Sequence, residues 1–251
     1  PFSFREFLTA KNINIDNYFL DSKKQSLLRR AFTDYYKLGG FPKMVLLENE
    51  TILRELYDNI LYRDVIARLG SNFEKPVKEL SVHFLSNPAE KTSTRKASEL
   101  MDVTNPLSVK KILNSFENSF LFLFLSKFDF SIKKQIQNPK KVYCIDNGFL
   151  TALGFKFSNN EGKMLENLVA VELKRRSKNT YYFSDTKECD FVIKDGNKIV
   201  EAIQVTWKIT PENKEREISG LMDALEKLNL KKGIILTYDQ KEEWTEKGKT
   251  I

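Results

Sequence analysis

The spacing of apolar residues changes along this chain of 251 residues, and that change limits the folds it can adopt. Up to about residue 146, apolar residues mostly recur every three or four positions, which is the period of an α-helix. After residue 180, short apolar runs are separated by turn residues such as Asp195-Gly196, a pattern typical of β-strands. The sequence therefore predicts a mixed fold, largely helical at first and α/β afterwards.

The first 75 residues predict small helices joined by short turns. The apolar positions from Leu27 to Tyr35 indicate one helix, which Gly39-Gly40 ends. Pro42 suits the first turn of the next helix, and a longer one is expected from Ile52 towards Leu69. Such an arrangement suggests a lid or an adaptor rather than a catalytic core.

Residues 76–146 predict a helix, a second helix, a turn, a third helix and then a basic β-hairpin, which is the order of a winged helix. In a DNA-binding winged helix, the third helix, from Pro106 to Phe116, would enter the major groove while the hairpin contacts phosphates. The predicted DNA-binding residues are Lys110, Lys111 and Asn114 on the helix, with Lys133 and Lys134 on the hairpin. The alternative is a protein-contact module whose lysines are merely solvated.

The positive charge of the chain agrees with either interpretation. The net charge is +7, and residues 76–147 carry 11 basic and 7 acidic side chains. A basic segment is typical of proteins that bind a polyanion such as DNA, although a lysine-rich surface can also be simply solvated.

Cysteine, histidine and hydropathy exclude several classes of protein. One histidine and two cysteines argue against a zinc site, and two cysteines make no disulfide framework. No apolar run approaches the roughly 18 residues that a membrane span needs. We therefore expect a soluble, cytoplasmic chain with no membrane partner, and the start at Pro1 without Met predicts a piece of a longer protein.

Polar residues occupy suggestive positions in the last hundred residues. Glu166 lies on a predicted helix, Asp190 begins the second predicted strand, and Gln204 lies on the third. Strand alternation puts Gln204, Thr206 and Lys208 on one face. Because burying unpaired polar groups is costly, this face predicts a functional site.

The stretches MLENLVAVEL and ECDFVIKDGNKIVEAIQVTW resemble the PD-(D/E)XK restriction-endonuclease-like fold, in the version at the C-terminus of a family of archaeal and bacterial AAA+ ATPases. PFSFREFL, LGGFPKMV and LYRDVIARL resemble the segment after the nucleotide-binding core of those ATPases, and KKVYCIDNGFLTAL resembles their junction before the nuclease-like domain. The resemblance covers nearly the whole chain. It implies a helical ATPase-lid remnant over 1–75, a winged helix over 76–146 and a three-layer nuclease-like domain over 147–251.

The resemblance also implies a metal-dependent site. Glu166 matches the helix glutamate and Asp190 the metal-binding aspartate, while Gln204 and Thr206 stand where the glutamate and lysine of the E-x-K motif would be. The expected metal ligands are therefore Asp190, Gln204 and Glu166, holding Mg²⁺ weakly. Lys208 would act as a migrated catalytic lysine, and Glu188 could add a carboxylate.

The two departures from the motif predict a degenerate site. A glutamine brings no negative charge, and a threonine cannot supply an ammonium group to orient the attacking water. We expect a DNA-associated accessory region with weak or absent nuclease activity. The alternative is a non-enzymatic scaffold that binds a protein partner or associates with itself.

The chain lacks the nucleotide-binding core that the resemblance implies. A phosphate loop needs G-x-x-x-x-G-K-[ST], so that backbone N–H groups wrap the phosphates. The near match Gly248-Lys249-Thr250 has Glu243 where the first glycine should be. ATP is therefore expected to bind only in a core that precedes Pro1.

Overall fold

The computed structural model describes residues 1–14, 22–155 and 161–251 of the chain. Their contacts divide the chain into two compact units. Unit 1 comprises residues 1–88, 94–123 and 144–157, and unit 2 comprises residues 89–93, 124–143 and 158–251. Each unit is assembled from separate stretches of chain, and the division into three consecutive domains stays a prediction.

The helices and strands of the described residues follow one another in a mixed order. The helices are α1 (Phe4–Ala10), α2 (Ser22–Leu38), α3 (Pro42–Leu47), α4 (Thr51–Asn59), α5 (Ala67–Leu69), α6 (Glu74–Ser86), α7 (Thr94–Met101), α8 (Pro106–Asn118), α9 (Ile132–Gln137), α10 (Asn147–Leu153), α11 (Glu161–Arg175) and α12 (Pro211–Lys227). The strands are β1 (Lys91–Thr92), β2 (Phe122–Leu125), β3 (Lys140–Cys144), β4 (Asn179–Ser184), β5 (Glu188–Asp195), β6 (Lys198–Val205), β7 (Ile234–Leu236), β8 (Thr245–Glu246) and β9 (Lys249–Thr250). None of the helices in these ranges combines the length and apolar character needed to cross a bilayer.

Unit 1 is helical, as the spacing of its apolar residues predicts. α2 ends directly before Gly39-Gly40, and α3 begins at Pro42, whose missing N–H is not needed in a first turn. A π-helical stretch, Ile60–Ile66, joins α4 to α5, so that the predicted longer helix runs to Leu69. The small helices predicted for the first 75 residues are confirmed within the described ranges.

The buried side chain of Asp146 in unit 1 joins the turn at Gly39-Gly40 to the start of α10, of which it is the N-cap. Gly39 has a φ of +78°, and a Cβ atom on it would lie 1.7 Å from Asp146 Oδ1, so only glycine fits there. Asp146 Oδ2 accepts the N–H of Gly40 at 2.7 Å, and its Oδ1 accepts the N–H of Gly148 at 2.8 Å. One carboxylate thus joins the stretches LGGFPKMV and KKVYCIDNGFLTAL.

Helix α8 agrees with the predicted third helix of residues 76–146. Its N-cap Asn105 accepts the N–H of Leu107 at 2.9 Å, and Pro106 occupies the first turn. The buried face consists of Val109, Ile112 and Phe116. The exposed residues include Lys110, Lys111 and Asn114, as predicted.

The stretch between β2 and β3 differs from the predicted basic β-hairpin. β3 lies between β1 and β2 in a three-stranded sheet, but α9 interrupts the connection between β2 and β3. Lys133 and Lys134 therefore lie on a helix, and their placement on a hairpin is wrong. The apolar pattern did not reveal this helix because it is one turn and a half long and its apolar residues, Ile132 and Ile136, are exposed.

The main sheet of unit 2 has the strand order β4-β5-β6-β7. β4 and β6 are antiparallel to β5, whereas β7 is parallel to β6. α12 runs between β6 and β7, because two parallel neighbours need a crossover connection. The mixed sheet predicted for this part of the chain is confirmed, and the three-layer arrangement stays a prediction.

The near match to a phosphate loop lies in a small hairpin of unit 2. β8 and β9 are antiparallel, and Glu246 pairs with Lys249 across the turn. The Lys249 ammonium donates to the backbone oxygen of Leu230 at 2.6 Å. Lys249 and Thr250 thus lie on a strand, whereas the corresponding residues of a phosphate loop open a helix.

Candidate functional site

Three carboxylates of unit 2 converge beside the main sheet. Glu166 projects from α11, while Glu188 and Asp190 are two positions apart on β5 and so lie on the same face of that strand. Glu166 is 8% exposed and Asp190 is 6% exposed. Carboxylates buried to this degree need a counter-charge or hydrogen-bond donors.

The Lys141 side chain supplies that counter-charge. Its Nζ lies 2.8 Å from Glu166 Oε1, 2.8 Å from Asp190 Oδ1 and 2.9 Å from Glu188 Oε1. The side chain is only 3% exposed. An ammonium has three N–H donors, and each of them has one carboxylate oxygen here.

Strand β3 brings Lys141 to the carboxylates. Lys141 is paired with Lys91 of β1, and both ammonium groups bind Glu188, which offsets the repulsion between two lysines on neighbouring strands. Tyr143 lies two positions further along β3, on the same face, and its hydroxyl donates to Glu166 Oε1 at 2.7 Å. Alternation along a single strand therefore supplies both the cation and a neutral donor.

Burial and charge together set the protonation of the cluster. Burial, and then repulsion from Asp190, raise the pKa of Glu166 to about 7 against the opposing effect of Lys141. Burial would raise the pKa of Glu188, but Lys141 and Lys91 hold it below its ordinary value. Burial would lower the pKa of Lys141, but attraction to the acidic side chains around it raises that pKa well above its ordinary value. Lys141 is therefore charged at neutral pH.

Gln204 connects this cluster to α12. Its Oε1 accepts the backbone N–H of Asp190 at 3.2 Å, and its Nε2 donates to Glu217 Oε2 at 2.9 Å. Glu217 is 4% exposed and pairs with Arg216 at 2.5 Å. α12 can lie this close to β5 because Gly220 has no side chain. A Cβ atom at that position would lie 2.1 Å from the backbone oxygen of Glu188.

Of the four residues predicted to be catalytic, three lie together and one does not. Glu166, Asp190 and Gln204 line one cavity of about 360 Å³, together with Glu188 and Glu217. Lys208 is exposed and is not among the described residues that line this cavity. These placements leave the catalytic roles of all four residues as predictions.

Three residues of the site did not emerge from the sequence: Lys141, Tyr143 and Glu217. The signal for the first two was the stretch KKVYC, in which a lysine and a tyrosine stand two apart at the start of an apolar run. A lysine at the beginning of a strand is ordinarily exposed. Lys141 could therefore be identified as a site residue only once the carboxylates that contact it were known. Glu217 lies in the charged first half of α12, where the sequence offers no sign of burial.

The residues as placed do not fit a magnesium ion. Mg²⁺ needs carboxylate oxygens at about 2.0–2.1 Å in a near-octahedral arrangement. Here the oxygens of Glu166, Glu188 and Asp190 surround an ammonium, and the second oxygen of Asp190 accepts the N–H of Val205 at 2.9 Å. No group of three or more His, Cys, Asp or Glu residues within 1–14, 22–155 and 161–251 has a geometry that would hold a metal. The weak magnesium site stays a prediction.

The chain is similar to two families of domains and to proteins of an archaeon and a bacterium. Residues 29–161 match the family described as "Domain of unknown function (DUF8612)", and residues 161–251 match "Domain of unknown function (DUF4143)". An uncharacterized protein of Methanocaldococcus jannaschii is 34% identical over 257 residues, which cover 95% of this chain and 56% of that protein. An uncharacterized protein of Haemophilus influenzae is 33% identical over 256 residues, which cover 96% of this chain and 60% of that protein.

The chain thus spans less than two thirds of the length of these curated relatives. No solved structure matches it significantly. The match over residues 29–161 covers more than half of the chain, which therefore belongs to the family described as a domain of unknown function (DUF8612).

Proposed function

We propose that this chain is a DNA-associated accessory region of a longer ATPase-like protein, and that its nuclease-like domain hydrolyses little or no DNA. The association with an ATPase is supported by the sequence resemblance, and the ATP-binding core would lie in residues before Pro1. The proposed location is the cytoplasm, which is supported by a cysteine content of two, too few for a disulfide framework.

The observation that carries DNA binding is the exposed surface of α8. Lys110 and Lys111 are exposed, and Asn114 lies one turn further along the same helix. Neither lysine forms an ion pair with an acidic side chain among the described residues, so no such pair has to be broken before the lysines contact phosphates. Lysines supply the salt-dependent part of DNA affinity, and an asparagine can read a base edge.

The winged-helix assignment is supported by the order of elements. α6, β1, α7, α8, β2 and β3 follow one another, and β3 lies between β1 and β2 in their sheet. In helix-turn-helix proteins the second helix of the motif is the one that enters the major groove. α8 is the helix in that position. Lys133 and Lys134 on α9 would add phosphate contacts.

The nuclease-like assignment of the last part is supported by the order α11, β4, β5, β6, α12, β7 and by the location of Glu166, Asp190 and Gln204 in one cavity. Weak or absent hydrolysis is supported by Thr206, which is 7% exposed and provides no ammonium group. Lys208 is exposed, so it is a poor substitute for that group.

DNA binding by the full chain tests this proposal. Fluorescence anisotropy with a labelled duplex should show binding at low salt that weakens steeply as salt rises. Changing Lys110 and Lys111 to Ala should reduce the salt slope by about one unit for each lost phosphate contact.

The matched control is a second basic pair, Lys174 and Arg175 at the end of α11, where Arg175 already pairs with Glu172 at 2.5 Å. Changing this pair to Ala should alter binding less. Equal losses from the two pairs would contradict a specific role for α8, and no binding at low salt would contradict DNA association altogether.

The second candidate is a protein-contact scaffold, which the surface around α9 favours. Phe130, Ile132 and Ile136 are 86%, 74% and 73% exposed. Apolar side chains exposed this far are typical of contact surfaces when they lie together. If the chain self-associates through them, changing Ile132 and Ile136 to Ser should lower the molecular mass measured by sedimentation without changing DNA affinity.

A further inference from the structure

The ammonium of Lys141 lies in the middle of the carboxylates that would hold a divalent cation. Its three shortest contacts to Glu166, Asp190 and Glu188 are 2.8, 2.8 and 2.9 Å long. These acids come from α11 and β5, and the lysine comes from β3. One positive charge therefore holds three elements of unit 2 together.

This ammonium has no donor left for another ligand. A lysine donates three N–H bonds, and three carboxylate oxygens receive them. The side chain is 3% exposed, so water does not compete for these bonds. A lysine that orients an attacking water must keep a donor for that water, which Lys141 does not.

The backbone around Lys141 also fixes its position. β3 pairs with β1 through Lys91 and Lys141, and the N–H of Val142 donates to the backbone oxygen of Glu90 at 3.0 Å. Tyr143 on the same strand contacts Glu166. Removing the ammonium from the cluster would therefore require a hydrogen-bonded strand to move, or the long side chain to leave a buried position.

We propose that Lys141 is the resident cation of this site, taking the place of a divalent metal ion, so that the carboxylate cluster of this chain works without metal. The charges support this assignment. Lys141 and Lys91 together bring two positive charges to Glu166, Glu188 and Asp190. A divalent cation would bring the same two charges, and adding it to the occupied cluster would put it against the Lys141 ammonium. The proposal does not depend on DNA binding.

The direct test measures Mn²⁺ binding to the full chain by calorimetry and by the shift in melting temperature. The wild-type chain should show neither binding heat nor a shift at millimolar Mn²⁺. Saturable Mn²⁺ binding by the wild type that Asp190→Asn abolishes would overturn the proposal, and this arm needs no variant of Lys141.

The second arm removes the ammonium. Lys141→Met keeps most of the length of the side chain but frees the three carboxylates, so it should bind Mn²⁺ at least about tenfold more tightly than the detection limit that the wild type sets. Adding Asp190→Asn to this variant should remove the gain.

Lys91→Met is the matched control, because Lys91 pairs with Glu188 at the half-exposed edge of the same cluster. It should not gain Mn²⁺ binding. If Lys141→Met is unfolded without metal, the melting curve is recorded in Mn²⁺, where recovery of a folded state supports the proposal. A Lys141→Met chain that neither binds Mn²⁺ nor refolds in it would overturn the proposal.

Discussion

Unit 1 and unit 2 each bury an aspartate, and the two carboxylates are satisfied in different ways. Asp146 of unit 1 is 5% exposed and Asp190 of unit 2 is 6% exposed. Asp146 accepts backbone N–H groups with both oxygens, from Gly40 and Gly148. Asp190 accepts one backbone N–H, from Val205, and gives its other oxygen to the Lys141 ammonium.

This difference separates a structural carboxylate from one that can hold a cation. Backbone N–H donors are fixed by the fold, so these two bonds of Asp146 have no exchangeable donor, and they join the turn at Gly40 to the start of α10. The partner of Asp190 is a charge on a side chain, which one substitution can remove. Two aspartates that are almost equally buried therefore differ in role. Asp146 holds backbone segments of unit 1 together, whereas Asp190 of unit 2 binds a cation that one substitution can remove.

The largest expected effect is that of Lys141→Met on stability. Removing one partner of a buried ionic cluster leaves the others unpaired, which costs about 3–5 kcal/mol of unfolding free energy. Urea unfolding of the wild type and the variant without metal measures this loss. A loss below about 1 kcal/mol would mean that the cluster behaves like a surface ion pair.

A smaller loss is expected from Asp146→Asn. The amide keeps one acceptor oxygen but turns an NH₂ group towards a backbone N–H, which costs about 1–3 kcal/mol for the unsatisfied donor. The same urea experiment measures it. Because the two bonds of Asp146 come from the backbone N–H groups of Gly40 and Gly148, Mn²⁺ should leave the stability of this variant unchanged. Stabilisation of this variant by Mn²⁺ would contradict the claim that the two buried aspartates have different kinds of partner.

Lys91→Met should have a smaller effect still. Its side chain is 37% exposed, and ion pairs at this exposure are worth about 0–1 kcal/mol. The difference from wild type should shrink further in high salt, since exposed charges are screened. Unfolding curves at low and high salt give this number. If Lys91→Met lowers the unfolding free energy as much as Lys141→Met does, the two lysines stabilise the carboxylate cluster equally, which would contradict the assignment of Lys141 as its main cation.

The smallest expected effect is on the rate at which the two cysteine thiols are labelled, which reports the part of the chain that a variant destabilises. Cys144 belongs to unit 1 and Cys189 to unit 2. Burial raises the pKa of both thiols, so little thiolate forms at pH 8 and labelling of the folded chain should be slow. Each thiol can be followed alone in the Cys144→Ser or Cys189→Ser background.

In these backgrounds Lys141→Met should accelerate labelling of Cys189 more than that of Cys144. Asp146→Asn should do the reverse. Equal acceleration of both thiols by either variant would mean that the two sites stabilise the chain as one cooperative whole.

The sequence predicted the helices and the acidic residues of the site better than it predicted which side chains contact those acidic residues. Helical spacing located α2 and α8, and the predicted site residues Glu166, Asp190 and Gln204 line one cavity, although their roles stay predictions. Local patterns report which face of an element is apolar, and these elements have one clear apolar face.

Lys141 could not be found in this way. Its partners Glu166 and Asp190 are 25 and 49 residues away along the chain, and no periodicity connects such distant positions. Lys208 was the more obvious lysine because strand alternation predicts that it shares a face with Gln204, but β6 ends at Val205 and Lys208 is exposed. α9 was missed for a different reason, since its apolar residues point to solvent and do not mark a buried face.

The most direct measurement is a crystal structure of the full wild-type chain grown in MnCl₂, with anomalous scattering recorded for manganese. We predict that Lys141 Nζ lies within hydrogen-bond distance of Glu166, Glu188 and Asp190, with no anomalous peak between them. A manganese peak coordinated by Asp190 and Glu166, with the Lys141 side chain displaced, would contradict it.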